Sequence, residues 1–197
     1  MTTASQKLSR GDLMPLEVYA EKRQAFRAEV MAHKKDRQVQ IGDHATLYFE
    51  DRLTMQYQVQ EMLRTERIFE PAGIEEELDA YNPLIPDGTN WKATFMIEYE
   101  DAAERARELA RLIGIEDQTW VQVEGHDKVF AVADEDLDRD TDEKTSSVHF
   151  MRFELTDDMR EAVKAGAGIA MGIDHVNYSY RVDVAASVRA SLAADID

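Results

Sequence analysis

KTSSVHFMRFELT, residues Lys144–Thr156, decides how the rest of the chain is read. Its β-branched and aromatic residues favour a pleated strand, and Thr156 ahead of Asp157 and Asp158 starts a helix. Side chains alternate along a strand, so Ser147, His149, Met151, Phe153 and Leu155 share one face; Val148, Phe150, Arg152 and Glu154 share the other. Both faces are partly apolar, which predicts a central strand covered on both sides. His149 and Arg152 then need partners, because an unpaired buried polar group costs about 1 to 3 kcal/mol.

Just upstream, Asp134–Glu143 carries seven acids in ten residues. Alternating Asp invites a calcium loop, but that pattern requires Gly at its sixth place and Glu at its twelfth, where this run has Arg139 and Thr145. The run reads as a solvated, mobile loop that is dispensable for folding, with weak divalent-cation binding as the alternative. Downstream, a helix over 157–165 stops at Gly166. Gly166, Gly168 and Gly172 match no phosphate-loop fingerprint, because no Lys-Ser/Thr follows them and they trail a helix. A short buried strand, Ile169–Ile173, a turn at Asp174-His175 and an amphipathic helix from Asp183 with Val184, Val188 and Leu192 inward complete the chain.

Upstream again, Thr119–Glu124 and Lys128–Ala133 read as a hairpin, and Asp101 with Glu104 caps a helix that Gly114 ends. Trp91–Tyr99 is a strand, and the stretch 70–90, a short acidic helix around Ile74 to Tyr81 followed by NPLIPDGTN, is a linker or crossover. Before it come a helix over 51–68 with Met55, Val59, Met62 and Leu63 as its buried stripe, a hairpin over 37–51, and a helix from Pro15 to Lys35. The first residues read as a mobile start. This order predicts an α+β fold, helices packed on one face of a mostly antiparallel sheet, with an N-terminal helix-hairpin-helix region. One domain over 1–197 is expected, with a possible division into 1–70 and 91–197.

At 44% hydrophobic and 32% charged residues the composition is that of a globular protein. No run approaches the about 20 apolar residues of a membrane span, so the cytoplasm is the expected location. With no cysteine, disulfides, thiolate nucleophiles and cysteine-held metals are excluded. A net charge of -17 argues against nucleic acid as a partner. Residues 1–37 nevertheless carry +3, leaving -20 on the remainder. His33 lies at the end of the first helix, where either the helix dipole or a metal shared with Glu29 would employ it.

FEDR, YQVQEMLRTER, WKATFMIEYED, KTSSVHFMRFEL and GIDHVNY together resemble a bacterial family known as domain of unknown function 3501. The resemblance spans nearly the whole chain. It implies a setting in redox or peroxide-stress metabolism, with a rubrerythrin-like protein or an iron–sulfur oxidoreductase as a partner, but it implies no activity. Its motifs fall here on Glu50, Arg52, Tyr57, Gln58, Glu61, Arg64, Trp91, His149, Arg152, Asp174 and His175.

Two readings follow. In the first, the chain is a non-catalytic accessory or binding protein, for it has no GxSxG, no HExxH and no recognisable triad. Tyr57, Gln58, Glu61, Arg64 and Arg152 are its binding residues, with Tyr57, Glu61 and Arg64 facing a polar cleft and Glu61 paired to an arginine. In the second, it binds iron or another divalent metal through His149, Asp174 and His175, which converge if Ile169–Ile173 pairs in the same sheet as the 144–156 strand. A homodimer through the two N-terminal helices is also expected, because their apolar stripes exceed what one short hairpin covers.

Overall fold

The computed structural model of the chain describes residues 6–197. Part of the mobile start expected from the sequence, residues 1–5, lies outside the described residues. The rest of it is docked: Leu8 is buried, its N–H donates to Asn82, and Lys7 Nζ donates to the carbonyl of Ile85 at 2.6 Å.

A helix α1 (Leu16–Lys34) leads into the hairpin β1 (Gln38–Ile41) and β2 (Ala45–Glu50), then α2 (Arg52–Thr65) and α3 (Pro71–Tyr81). Strand β3 (Asn90–Ile97) and α4 (Ala102–Arg111) precede β4 (Thr119–Val123), β5 (Lys128–Phe130) and β6 (Val132–Ala133). The quoted stretch forms β7 (Val148–Glu154), followed by α5 (Asp157–Lys164), β8 (Ile169–His175), β9 (Tyr178–Asp183) and α6 (Ala186–Ala193). The caps read from sequence are present, since Asp101 accepts from Glu104 N–H and Thr156 from Met159 N–H.

The fold is α+β, as expected, but the described strands form two antiparallel sheets where the sequence suggested one. One has the order β1-β2-β3-β7-β6 and the other β5-β4-β8-β9. Their inner faces pack together through Leu47, Phe95 and Phe153 on one side and Val121, Met171 and Ile173 on the other. The chain turns a corner between β5 and β6, passing from the edge of one sheet to the edge of the other. Tyr178 ties the opposite side: its hydroxyl donates to the Ile41 carbonyl at 2.5 Å. Gly42, in the left-handed region with φ +70°, leaves room for that ring, which a Cβ would strike.

Alternation in β7 is as read: His149, Met151, Phe153 and Leu155 are buried. The opposite face is only half-buried, because β7 lies next to the two-residue edge strand β6 and no layer fully covers it. Strand β9 escaped the sequence reading. Its Tyr180, Arg181 and Asp183 are exposed, so it lacks the apolar alternation that marked the others.

The three N-terminal helices enclose a second core of Leu8, Met55, Val59, Leu63, Leu78 and Ile85. Arg37 joins this layer to the sandwich. Only 2% exposed, its guanidinium donates to the carbonyls of Phe49 and Glu50, to Ser191, and to both carboxylate oxygens of Asp195, the shorter bond being 2.6 Å. Removing the cation strands a buried carboxylate, so Arg37→Ala should cost about 3 to 5 kcal/mol in urea denaturation. A loss under about 1 kcal/mol, the range of an exposed pair, would mean that Asp195 reaches water in solution.

Candidate metal centre

His149 is fully buried on the inner face of β7, near the start of the strand. Its Nδ1 donates to Asp134 Oδ2 at 2.5 Å. The other oxygen of Asp134 accepts from the Phe150 N–H and from Arg139, each at 3.0 Å. Asp134 stands where β6 ends, with φ 53°, and its pairing with β7 carries the acidic run back over the sheet. The run is therefore not a free solvated loop: two of its acids, Asp134 and Asp140, are turned into the body. They replace water with a buried ring and backbone N–H groups, which offsets the repulsion expected from like charge.

On the Nε2 side, Thr145 Oγ1 lies at 2.8 Å, the Ser146 carbonyl at 3.0 Å and Glu116 Oε2 at 3.9 Å. The Thr145 hydroxyl donates to Asp140, whose second oxygen accepts from the Gly114 N–H at 3.1 Å. With that hydroxyl proton committed, the Thr145 oxygen and the Ser146 carbonyl both face Nε2 as acceptors. Burial pushes the Glu116 carboxyl up to about 8, and its hydrogen bond to Asp140 adds to the effect. Burial works to raise Asp140 too, but hydrogen bonds from Thr145, Glu116 and Gly114 outweigh it and hold Asp140 below its ordinary value. The pair thus shares one proton, kept on Glu116.

Donor atoms of Glu116, Asp140 and His149 all lie within 4.8 Å of one another, and these three side chains can hold a metal ion. Asp134 supplies the carboxylate behind the imidazole that fixes ring orientation in many metal sites. Outside the cluster lies an acid-lined depression of about 370 Å³, whose walls include Glu116, Asp117, Asp134, Glu135, Asp136 and Asp138. Arg139 pairs with two of its wall residues, Asp134 and Asp136, and is set over the Phe150 ring at 4.7 Å.

The structure does not group Asp174 and His175 with His149. They end β8, which belongs to the other sheet, because β8 pairs with β4 and β9. Asp174 accepts from Trp120 Nε1 at 2.9 Å and from Lys128 at 2.7 Å. His175 spends both ring nitrogens locally, donating to the Ile113 carbonyl and accepting from the Asn177 N–H. His33 pairs with Asp51 at 2.5 Å, while Glu29 is exposed.

Nor do the expected binding residues form one cleft. Glu61 pairs with an arginine, but with Arg23 of α1, at 2.7 and 3.0 Å, and it accepts from the buried Tyr19 hydroxyl. Arg64, one turn along the same helix, is exposed. Tyr57 is buried against Phe26, and Gln58 is half-buried. Arg152 lies on the outer face of the five-stranded sheet, bridging Glu135 and Glu154. Glu116 and Asp140 were missed. The available signal was topological: an acidic run joining two antiparallel neighbours must return close to the first residues of β7, where His149 stands.

The family described as "Protein of unknown function (DUF3501)" matches residues 7–196. A solved structure of a novel protein of unknown function from Burkholderia pseudomallei K96243 is 52% identical, with a TM-score of 0.93, over 98% of this chain and 100% of that one. No curated protein matches the chain. No described helix is long and apolar enough to cross a membrane.

Asp134→Ala removes the acceptor for both His149 Nδ1 and the Phe150 N–H. It should lower stability by about 1 to 3 kcal/mol for each group left unpaired. Urea denaturation unchanged to within about 0.5 kcal/mol, the range of an ordinary surface substitution, would show the acidic run undocked in solution.

Proposed function

The chain belongs to this family of proteins of unknown function, and we propose that it binds a divalent cation through Glu116, Asp140 and His149, with Asp134 orienting the imidazole. The observation that carries the reading is the convergence of one imidazole nitrogen and two carboxylates, one of which, Glu116, also lines the acidic depression. One nitrogen with two carboxylates suits iron(II), manganese or zinc better than the all-oxygen shell that calcium and magnesium prefer. Iron is the choice that joins the site to the redox setting implied by the family resemblance. In the cation-free protein the Glu116 proton stands where the cation would bind, and Thr145's hydroxyl is a third oxygen beside those of the two carboxylates.

Calorimetric titration of chelator-treated protein with manganese, iron(II) and zinc should show one site per chain. His149→Ala and Asp140→Ala should abolish it, while Asp174→Ala should leave it intact. Saturable binding that survives the first two substitutions, or no binding at millimolar cation, would overturn the assignment.

The pH dependence has a definite sign. Glu116 keeps its proton up to about pH 8, so the cation must displace it. Affinity should rise about tenfold per pH unit for each displaced proton below that value and level off above it. Stability of the cation-free protein follows the opposite course. A raised carboxyl stabilises the fold fully below its ordinary 4.5, and that contribution is lost as pH climbs through about 8. Titrations at pH 6, 7 and 8 that give equal affinities would show that Glu116 is not a ligand.

A further inference from the structure

A second cavity, remote in chain position from the metal cluster, lies between the C-terminal end of α1 and the outer face of the five-stranded sheet. It measures about 400 Å³, within the range of small-molecule sites. Its walls are Met31 from α1, Tyr48 from β2 and Met96 from β3. Tyr48 and Met96 are neighbours on one face, because Tyr48 pairs with Thr94 and Thr46 with Met96 across the ladder. Methionine side chains adapt to ligands of varied shape, and here they meet an aromatic ring on a half-buried surface.

The polar groups around this cavity are of two kinds. Glu50 is already satisfied, accepting from the hydroxyls of Thr54 at 2.6 Å and Thr94 at 2.9 Å. Arg37 is spent on Asp195. Lys34, Lys35 and Tyr48 differ: among the described residues Lys34 makes only a cation–π contact with Tyr57, and Lys35 and the Tyr48 hydroxyl make no hydrogen bond or ion pair. All three are donors. A chain of net charge -17 repels anions in general, yet this apolar cavity opens beside two uncompensated lysines.

We propose that the cavity binds an amphipathic carboxylate, an aliphatic acid whose chain lies on Met31, Tyr48 and Met96 and whose head group meets Lys34 and Lys35. The free donors supply charge-assisted hydrogen bonds to the carboxylate. The Glu50 carboxylate repels a second anion, so the ligand enters tail first. An alkylamine of the same length would bring a third cation beside the two lysines at its head.

Decanoate is a suitable probe, followed through the methyl resonances of protein labelled at methionine. It should shift the Met31 and Met96 signals saturably with one site per chain, and decylamine should bind at least about tenfold more weakly. The double variant Lys34→Glu/Lys35→Glu should lose about tenfold or more in decanoate affinity while keeping the parent spectrum elsewhere. Met96→Trp should block binding by filling the cavity. Equal binding of decylamine, unchanged affinity in the charge-reversed variant, or no shift of these two methyls at millimolar decanoate would each overturn the proposal.

Discussion

A guanidinium 2% exposed, surrounded by carbonyls and a carboxylate, is the constraint on which the arrangement of this molecule rests. Arg37 lies at the junction of α1 and β1, and its acceptors come from β2 and from the C-terminal segment that contains α6. A buried cation without acceptors is too costly to tolerate, so these segments are obliged to meet. The indole of Trp91 donates to the Leu192 carbonyl at 2.9 Å and anchors the same C-terminal segment from the sandwich side. Through these contacts the helical layer and the sandwich, each with its own apolar core, hold a defined relation.

The metal cluster obeys the same rule in a different way. His149, Asp134, Asp140 and Glu116 are brought into a region with little water, where charge must be matched locally. Here a proton does the matching: Glu116 retains it in place of a second adjacent negative charge, while both ring nitrogens of His149 face oxygens. In the proposed function a cation would take the place of the Glu116 proton. The acidic mouth favours cations, and Arg139, held over Phe150, limits the charge that Asp134 and Asp136 present. The aliphatic cavity by α1 has the reverse character, apolar within and positive at its rim, so one chain offers unlike environments on separate surfaces.

Much of the architecture was legible locally. Alternation in VHFMRFE placed His149 on the buried face, Asp101 and Thr156 announced helix starts, and the proline-rich stretch after α2 marked a change of layer. Each of these signals depends on residues within a turn or a strand of one another. The reading failed at β9, whose exposed Tyr180 and Arg181 carry no apolar period, and at the acidic run, whose composition describes its solvent-facing members but not Asp134 and Asp140.

The sequence by itself determined the fold class, the inward face of β7 and the residue, His149, around which the candidate site is built. Only the tertiary structure decided that the strands divide into two sheets. That division separates Asp174 and His175 from His149 and supplies Glu116 and Asp140 in their place. The physical reason is that strand pairing and side-chain convergence depend on contacts between residues far apart in the chain. The chemistry of a carboxylate, too, is settled by what buries it and what donates to it: Glu116 and Asp117 are consecutive, yet only Glu116 is turned into the protein.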